Sequence, residues 1–294
     1  MTEPPVRQRL ERPDTPEVAA LRRLKAAQPQ LASAVDMQVE LAALYRRAQI
    51  RVTTRVFDLD AEALTRTLAA GIPIVRFGDV PFDWPDLRGL VRQIVDVLRR
   101  FDLVEPSEHD AMQARVRAGH PNADEVADWY NLRATQGHAG GESPDAGSTQ
   151  TQVLSLASRP FLGRAVEMIQ QRVNLSPWTR PYCPFCGGDP ELGVINSTRE
   201  RRLVCGRCAG QWPFDDIACP FCDNRDSGSI TSFEYACWPD PARDGVYRLT
   251  GCDVCHRYLK SYVPRSSSRP VMLDVDTIGS LLLDAAAAQR GYIS

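Results

Sequence analysis

Four Cys-x-x-Cys pairs follow one another in the chain: Cys183-Pro-Phe-Cys186, Cys205-Gly-Arg-Cys208, Cys219-Pro-Phe-Cys222 and Cys252-Asp-Val-Cys255. They lie within 73 residues and use eight of the nine cysteines, whereas the preceding 182 residues contain none. A Cys-x-x-Cys turn, called a knuckle below, directs two thiolates into one space, and two knuckles supply the ligands of a tetrahedral metal site. The clustering therefore predicts metal ligation by all four knuckles.

The spacing of the knuckles indicates how they pair. Eighteen residues separate Cys186 from Cys205, as expected for one zinc-ribbon or rubredoxin-like unit, and 29 residues between Cys222 and Cys252 leave room for a second. A sequential pairing joins knuckles one and two at one ion and knuckles three and four at another. A cross-braced pairing, one with three and two with four, stays open. The predicted ligands are Cys183, Cys186, Cys205, Cys208, Cys219, Cys222, Cys252 and Cys255.

Each predicted site is closed, because four thiolates complete a tetrahedral coordination and leave no position for water or substrate. We therefore expect two structural metal ions per chain and no enzyme. Zinc is the ordinary ion for such a site, but rubredoxin-type iron uses the same ligands, and the sequence does not separate them. Redox dithiols are the alternative reading, although a redox Cys-x-x-Cys normally occurs singly on a helix of a βαβ unit.

Charge and hydropathy limit where the protein is expected to reside and which partners it can bind. The sequence has no run of about 18 apolar residues that would predict a membrane span. No apolar segment follows its first charges, as one would in a signal peptide. We therefore expect a cytoplasmic protein without stable membrane insertion, in a compartment where disulfides are rare. Residues 179–265 contain 11 basic and 11 acidic side chains. Two metal sites would each add a charge of about −2, which disfavours nucleic-acid binding.

The first 178 residues show apolar residues at helical spacing and predict roughly seven helices. Thr15 and Asp83 are the predicted N-caps of two of them. Near residue 160 the pattern predicts one helix that ends at Ala157 and another that begins at Pro160. The predicted unit is an all-α domain.

From residue 180 onward the pattern changes to short strands. Residues 191–197 and 201–204 form one predicted hairpin, residues 229–238 and 245–249 a second, and residues 258–263 a further strand. Asp276 is the predicted cap of a last helix that runs to Gly291. The expected class is α+β, with a helical domain at 1–178, rubredoxin-like or zinc-ribbon modules at 179–213 and 214–270, and a C-terminal helix at 271–294.

Three other residues near the knuckles have predicted roles. Trp212 lies four residues beyond Cys208, where an aromatic ring commonly packs over a ribbon, and His256 follows Cys255 directly. We expect His256 at the surface or beside the site rather than as a ligand. Cys237 is predicted to be a buried strand residue rather than a reactive thiol.

The residues around the knuckles resemble the family of the formate dehydrogenase accessory protein FdhE. The likeness rests on Tyr182-Cys183-Pro184-x-Cys186-Gly187, Leu203-x-Cys205-x-x-Cys208 with Trp212, Cys219-x-x-Cys222, and Cys252-x-x-Cys255 with Tyr258-Leu259-Lys260. It covers residues 180 to 294 most specifically, and in the first half it rests on helical character and residues 21–49. Residues 209–211 lack the acidic position that the family often has before the tryptophan.

This resemblance implies a cytoplasmic accessory or maturation factor, chaperone-like and non-catalytic, that is required to assemble active respiratory formate dehydrogenase. It implies two rubredoxin-like modules that hold iron or zinc, and binding to the molybdenum–selenium catalytic subunit through the metal-stabilised part. Two alternatives stay open from the residues: a rubredoxin-like electron-transfer protein and a zinc-ribbon nucleic-acid-binding factor. The sequence does not specify an oligomeric state.

Overall fold

Helices dominate the first half of the chain, as the spacing of apolar residues predicts. The computed structural model describes residues 14–53, 60–135, 148–215, 217–235, 245–264 and 270–293. Within these ranges the helices before the knuckles are α1 Pro16–Ala27, α2 Ala32–Arg51, α3 Ala61–Ala69, α4 Trp84–Arg100, α5 Pro106–Arg117, α6 Ala123–Thr135 and α7 Thr149–Ile169. Both predicted caps are confirmed, since Thr15 Oγ1 accepts the Val18 amide at 3.3 Å and Asp83 Oδ1 accepts the Asp86 amide at 2.9 Å.

The predicted break at Pro160 is wrong, because α7 runs without interruption from Thr149 to Ile169 with Pro160 inside it. A proline in a helix removes one backbone hydrogen bond and crowds the preceding turn. Here Ala157, Phe161 and Leu162 are all buried on either side of it. Burial of large apolar side chains contributes about 1.5–3 kcal/mol each, which offsets the proline in this helix.

The strands form one sheet in the order β3-β2-β1-β6-β5-β4. Their bounds are β1 Pro190–Ile195, β2 Arg201–Cys205, β3 Gln211–Phe214, β4 Ile230–Tyr235, β5 Val246–Cys252 and β6 Tyr258–Val263. Neighbours are antiparallel except β1 and β6, which pair in parallel with Leu192 opposite Lys260. The parallel pair joins the two cysteine-bearing hairpins into a continuous sheet.

Strand β3 is absent from the sequence prediction. It contains Pro213, which cannot donate to a ladder, and it lies at the edge of the sheet beside β2. Proline is tolerated in edge strands. Pro213 weakens the strand pattern in the sequence, and it is compatible with the edge position of β3 in the sheet.

Both faces of the sheet are covered by helices. Successive residues of a strand point to opposite faces, so neighbours in one strand belong to different cores. Leu203 of β2 belongs to a core shared with α2, α4, α6 and α7, whereas Val204 belongs to a core shared with α1 and the helices after the sheet. The structure therefore confirms the α+β class and the predicted order of helical region, cysteine-rich sheet and C-terminal helical segment. The residue boundaries of the predicted domains stay a prediction.

The last helical segment differs from the predicted single helix, since it consists of α8 Leu273–Gly279 and α9 Leu281–Gln289. Asp276 lies inside α8, fully buried, rather than at a helix start. Its carboxylate nevertheless accepts the Met272 amide at 2.7 Å, and it also accepts the Tyr247 hydroxyl of β5 at 2.6 Å. Asp276 thus caps α8 from within and ties it to the sheet.

Among the helices of the described ranges, none combines the length and the apolar character needed to cross a bilayer.

Candidate metal centres

The four knuckles share one backbone geometry. In each, the residue after the second cysteine donates its amide to the carbonyl of the first, at 2.9, 3.0, 3.0 and 2.8 Å for Gly187, Ala209, Asp223 and His256. The amide of the first cysteine donates to the carbonyl two residues past the second, at distances from 2.8 to 2.9 Å. A tight turn closed at both ends therefore orients each pair of sulfurs.

The closing residue of every knuckle has a left-handed backbone conformation. The φ angle is 73° at Gly187, 56° at Ala209, 55° at Asp223 and 56° at His256. Glycine adopts this conformation freely, but other residues lose roughly 1–2 kcal/mol in it. Three of the four knuckles keep a non-glycine residue there, so other interactions must stabilise the turn. Ligation of a metal by both cysteines would do so.

The first centre brings together Cys183, Cys186, Cys205 and Cys208, each at most 2% exposed. The sulfur–sulfur distances are 3.4 Å for Cys186–Cys208, 3.5 Å for Cys186–Cys205 and 3.6 Å for Cys183–Cys208. A tetrahedral ion with metal–sulfur bonds of about 2.3 Å needs sulfurs about 3.8 Å apart. The donor set is therefore close to the size that zinc or ferrous iron requires.

The second centre brings together Cys219, Cys222, Cys252 and Cys255, with all four sulfurs within 4.8 Å of one another. The sulfurs of Cys219 and Cys255 are 3.7 Å apart, as are those of Cys222 and Cys252. Both centres thus follow the sequential pairing and not the cross-braced one. In the part of the chain that the structure describes, these two tetrads could hold metal ions.

Burial in the first centre opposes ionisation of its thiols in the absence of a cation. Burial raises the pKa of Cys183 and Cys208 well above the usual range, while hydrogen bonds from Cys183 and its neighbours lower the pKa of Cys186. Four buried thiols cannot ionise together unless a positive charge accompanies them. A divalent ion supplies that charge and releases the protons when it binds.

The second centre is more accessible and less uniform in its ionisation. Burial raises the pKa of Cys255 to about 11. Burial also opposes ionisation of Cys252, but backbone amides of Cys255 and Val254 donate to its sulfur and lower its pKa to about 7. Cys222 and Cys255 are only partly buried.

The helical part of the chain holds both knuckles of the first centre. The Pro184 carbonyl accepts the Ile74 amide at 2.9 Å and the Phe185 carbonyl accepts the Val75 amide at 2.8 Å. In the second knuckle, Arg159 of α7 donates to the Gly206 carbonyl at 2.8 Å. The first centre is therefore built into the helical core rather than attached to it.

Arg207, between the two cysteines of the second knuckle, makes further connections between this knuckle and the helices. Its side chain is buried, with the guanidinium carbon 4.3 Å from the centroid of the Trp129 ring. It donates to the Trp129 carbonyl at 3.0 Å and the Tyr130 carbonyl at 3.3 Å. A buried cation beside four thiolates offsets part of the −2 charge of a filled site.

Two glycines allow the chain to approach the sulfurs closely. A Cβ at Gly188 would lie 2.9 Å from Cys205 Sγ, and a Cβ at Gly210 would lie 2.6 Å from the Phe185 ring and 3.2 Å from Cys208 Sγ. Both positions therefore require glycine for packing around the first centre.

The residues around the second centre contact their own hairpin, and Phe221 of knuckle three also packs against the core that includes the first centre. The guanidinium of Arg257 lies 3.8 Å from the centroid of the Phe221 ring, and the Asp253 amide donates to the Ser229 carbonyl at 2.9 Å. Ile217 and Val254, beside knuckles three and four, are 56% and 60% exposed. This centre therefore lies at the surface with apolar side chains around it.

Two of the three other residues with predicted roles lie within the described part of the chain, and two further residues contribute that the sequence did not single out. Trp212 is fully buried in the core that includes the first centre, and His256 is exposed beside the second, both as expected. Cys237 lies outside the described residues. Arg159 and Arg207 contribute to the first centre although the sequence analysis missed them. The only signal for Arg207 was a charged residue inside a knuckle.

No sequence model of a protein family matches the chain. Several curated relatives match part of the chain in sequence. A protein of Pseudomonas aeruginosa named FdhE homolog is 30% identical over an alignment of 158 residues that covers 50% of this chain and 50% of that protein. The FdhE homolog of Aquifex aeolicus is 28% identical over 120 residues, 40% of each chain, and that of Pectobacterium carotovorum is 27% identical over 116 residues, 38% of this chain and 35% of that protein. The chain thus matches half or less of the length of these relatives.

A comparison of folds extends the likeness over most of the chain. The crystal structure of the FdhE protein from Pseudomonas aeruginosa superposes with a TM-score of 0.60 at 21% identity, covering 94% of this chain and 92% of that one. At this identity the likeness establishes the shared fold. The relatives and the fold together support the family that the knuckle residues resemble.

Proposed function

With the FdhE family supported by curated relatives and by a shared fold, we propose that this chain is an accessory protein of formate dehydrogenase. The observation that carries the proposal is the pair of closed four-cysteine sites set in an FdhE-like fold. A closed site stabilises structure and has no position for substrate, which fits an accessory role better than a catalytic one.

The finer proposal concerns the partner. We infer that the chain binds the molybdenum–selenium catalytic subunit of a respiratory formate dehydrogenase in the cytoplasm, before that enzyme is complete. Exposed apolar side chains beside the second centre support a protein-binding role, because Ile217 and Val254 extend from its knuckles into solvent. The metals would keep the knuckles that display these side chains in one conformation.

The test is affinity capture from anaerobic cells that express respiratory formate dehydrogenase, with the tagged full-length chain loaded with zinc. We expect the catalytic subunit to be enriched by the wild-type chain and lost with a variant that carries Ile217→Asp and Val254→Asp. The matched control is Ile50→Asp on α2, which changes an isoleucine that is 75% exposed and far along the chain from the knuckles. Failure of the wild-type protein, folded and metal-loaded, to recover the subunit would contradict the proposal.

The two alternatives from the sequence are not favoured, since the relatives are named for FdhE and the cysteine region has no excess of positive charge. The absorption spectrum of anaerobically purified protein distinguishes the electron-transfer hypothesis, which requires iron, from a structural zinc site. Ferric iron bound by four thiolates is coloured, whereas zinc is not.

A further inference from the structure

The two centres have the same ligands and the same knuckle geometry, yet their surroundings differ. All four sulfurs of the first centre are in the helical core, and its knuckles accept hydrogen bonds from Ile74, Val75 and Arg159. In the second centre one cysteine of each knuckle, Cys222 and Cys255, is partly exposed. Because the coordination chemistry is constant, the environment alone must distinguish how each centre holds and releases its ion.

Release of a metal from four thiolates proceeds by ligand exchange. An incoming donor forms a bond to the ion, one metal–sulfur bond breaks, and the departing thiolate takes a proton from solvent. At the second centre such a donor can approach along the exposed sides of Cys222 and Cys255. At the first centre it can approach only after part of the helical core has opened, and that opening costs free energy.

Knuckle four also holds a separate piece of the chain, the segment Tyr292–Ile293. The Ile293 amide donates to the His256 carbonyl at 2.8 Å, and the Tyr258 amide donates to the Ile293 carbonyl at 3.2 Å. The Tyr292 hydroxyl donates to Asp253 Oδ1 at 2.5 Å. His256 makes its contact from the left-handed turn that closes the knuckle, so this contact depends on the knuckle staying closed.

The Tyr292 ring fits against the same knuckle. It covers Gly251, where a Cβ would lie 2.6 Å from the ring, so only glycine admits this contact. Opening of knuckle four would therefore break the His256 contact of Ile293 and the Asp253 contact of Tyr292 together, and so loosen the segment against Gly251 and Tyr258.

We propose that the second centre is an exchangeable site for a thiophilic divalent cation whose occupancy fixes the segment Tyr292–Ile293, whereas the first centre retains its ion. Binding and loss of the ion at the second centre would then order and release this segment reversibly, whereas the ion of the first centre remains a permanent part of the core. The proposal goes beyond the accessory role and does not depend on a formate dehydrogenase partner, so failure of the capture experiment would leave it standing.

The test begins with the full chain carrying two equivalents of zinc, mixed with excess chromophoric chelator. We expect two phases of equal amplitude, the faster at least about tenfold quicker than the slower, which corresponds to about 1.4 kcal/mol less opening free energy at the second centre. Cys255→Ser should bind one equivalent and show only the slow phase. Native mass spectrometry of each form counts the bound ions.

Hydrogen exchange provides a second readout within the same sample. In the form that has lost one equivalent, the amides of Tyr258 and Ile293 should exchange faster, while the amides of Ile74 and Val75 at the first centre keep their protection. Release of both ions at one rate, a fast phase that persists in Cys255→Ser, unchanged protection at Ile293, or no zinc binding at all would each overturn the proposal.

Discussion

At the scale of single residues, Arg207 connects the coordination chemistry to the helical core. Its guanidinium stacks on Trp129, donates to two backbone carbonyls of α6, and lies beside the thiol cluster. A lysine there would carry the charge but not the planar fork that matches two adjacent carbonyls while stacking on a ring. The residue therefore has three tasks that only an arginine combines.

We expect Arg207→Met to lower the free energy of unfolding of the zinc-loaded protein by about 2–4 kcal/mol, because two carbonyls lose a charged donor and the ring contact is lost. Urea denaturation followed by circular dichroism measures it. Arg225→Met is the matched control, since Arg225 is exposed and pairs only with Asp215 and Asp223 in the described contacts, and it should cost under about 1 kcal/mol. Equal losses in the two variants would contradict this role for Arg207.

At the scale of elements, α8 depends on a contact that crosses the fold. Asp276 caps this short helix through the Met272 amide and accepts the hydroxyl of Tyr247 from β5. A seven-residue helix is too short to be stable alone, so its position follows from such contacts and from burial.

We expect Asp276→Ala to destabilise the protein by about 3 kcal/mol, since it removes a buried acceptor that serves two donors. Tyr247→Phe should cost about 1 kcal/mol, and the double variant less than the sum, with a coupling of about 1 kcal/mol. Thermal unfolding of the four proteins completes the cycle. Strict additivity would show that the hydrogen bond does not stabilise α8.

Elements also show what the sequence can and cannot predict here. The caps at Thr15 and Asp83, the knuckle turns and the main hairpins are encoded by neighbouring residues, so a local pattern suffices. The parallel pairing of β1 with β6 and the burial of Pro160 inside α7 depend on residues distant in sequence. Arg159 and Arg207 were missed for the same reason, because their partners lie 47 and 77 or more residues away.

At the scale of the whole molecule, one polar cluster joins the first helix to the last helical segment and to the first centre. Arg159 of α7 pairs with Asp274 of α8 and donates to Gly206 in knuckle two. Glu17 of α1 hydrogen-bonds to Asp274, and burial together with the charge of Asp274 raises the pKa of Glu17 to about 7. Glu17 is therefore the carboxyl group of this cluster that stays protonated up to about pH 7.

This cluster predicts a pH dependence of stability. Glu17 keeps its proton up to about pH 7 when folded but releases it near pH 4.3 when unfolded, so its contribution is present at low pH and lost as the pH rises between these values. Glu17→Gln should therefore gain melting temperature relative to wild type as the pH rises from about 5 to 8. Comparison with Glu62→Gln, an exposed glutamate of α3, corrects for effects of pH on the rest of the protein. A constant difference across this range would contradict the prediction.

The placement of α1 has a consequence for how the chain acquires its structure. Ala20, Leu21 and Leu24 share a core with nearby Leu31 and Val35 and also with residues between Leu192 and Tyr292, which are synthesised more than 150 residues later. Contacts so remote in sequence form slowly, and apolar surface that waits for them is prone to aggregate in the interval. During translation α1 can therefore pack against α2 early, but its contacts with the helices after the sheet form only once those residues have been made.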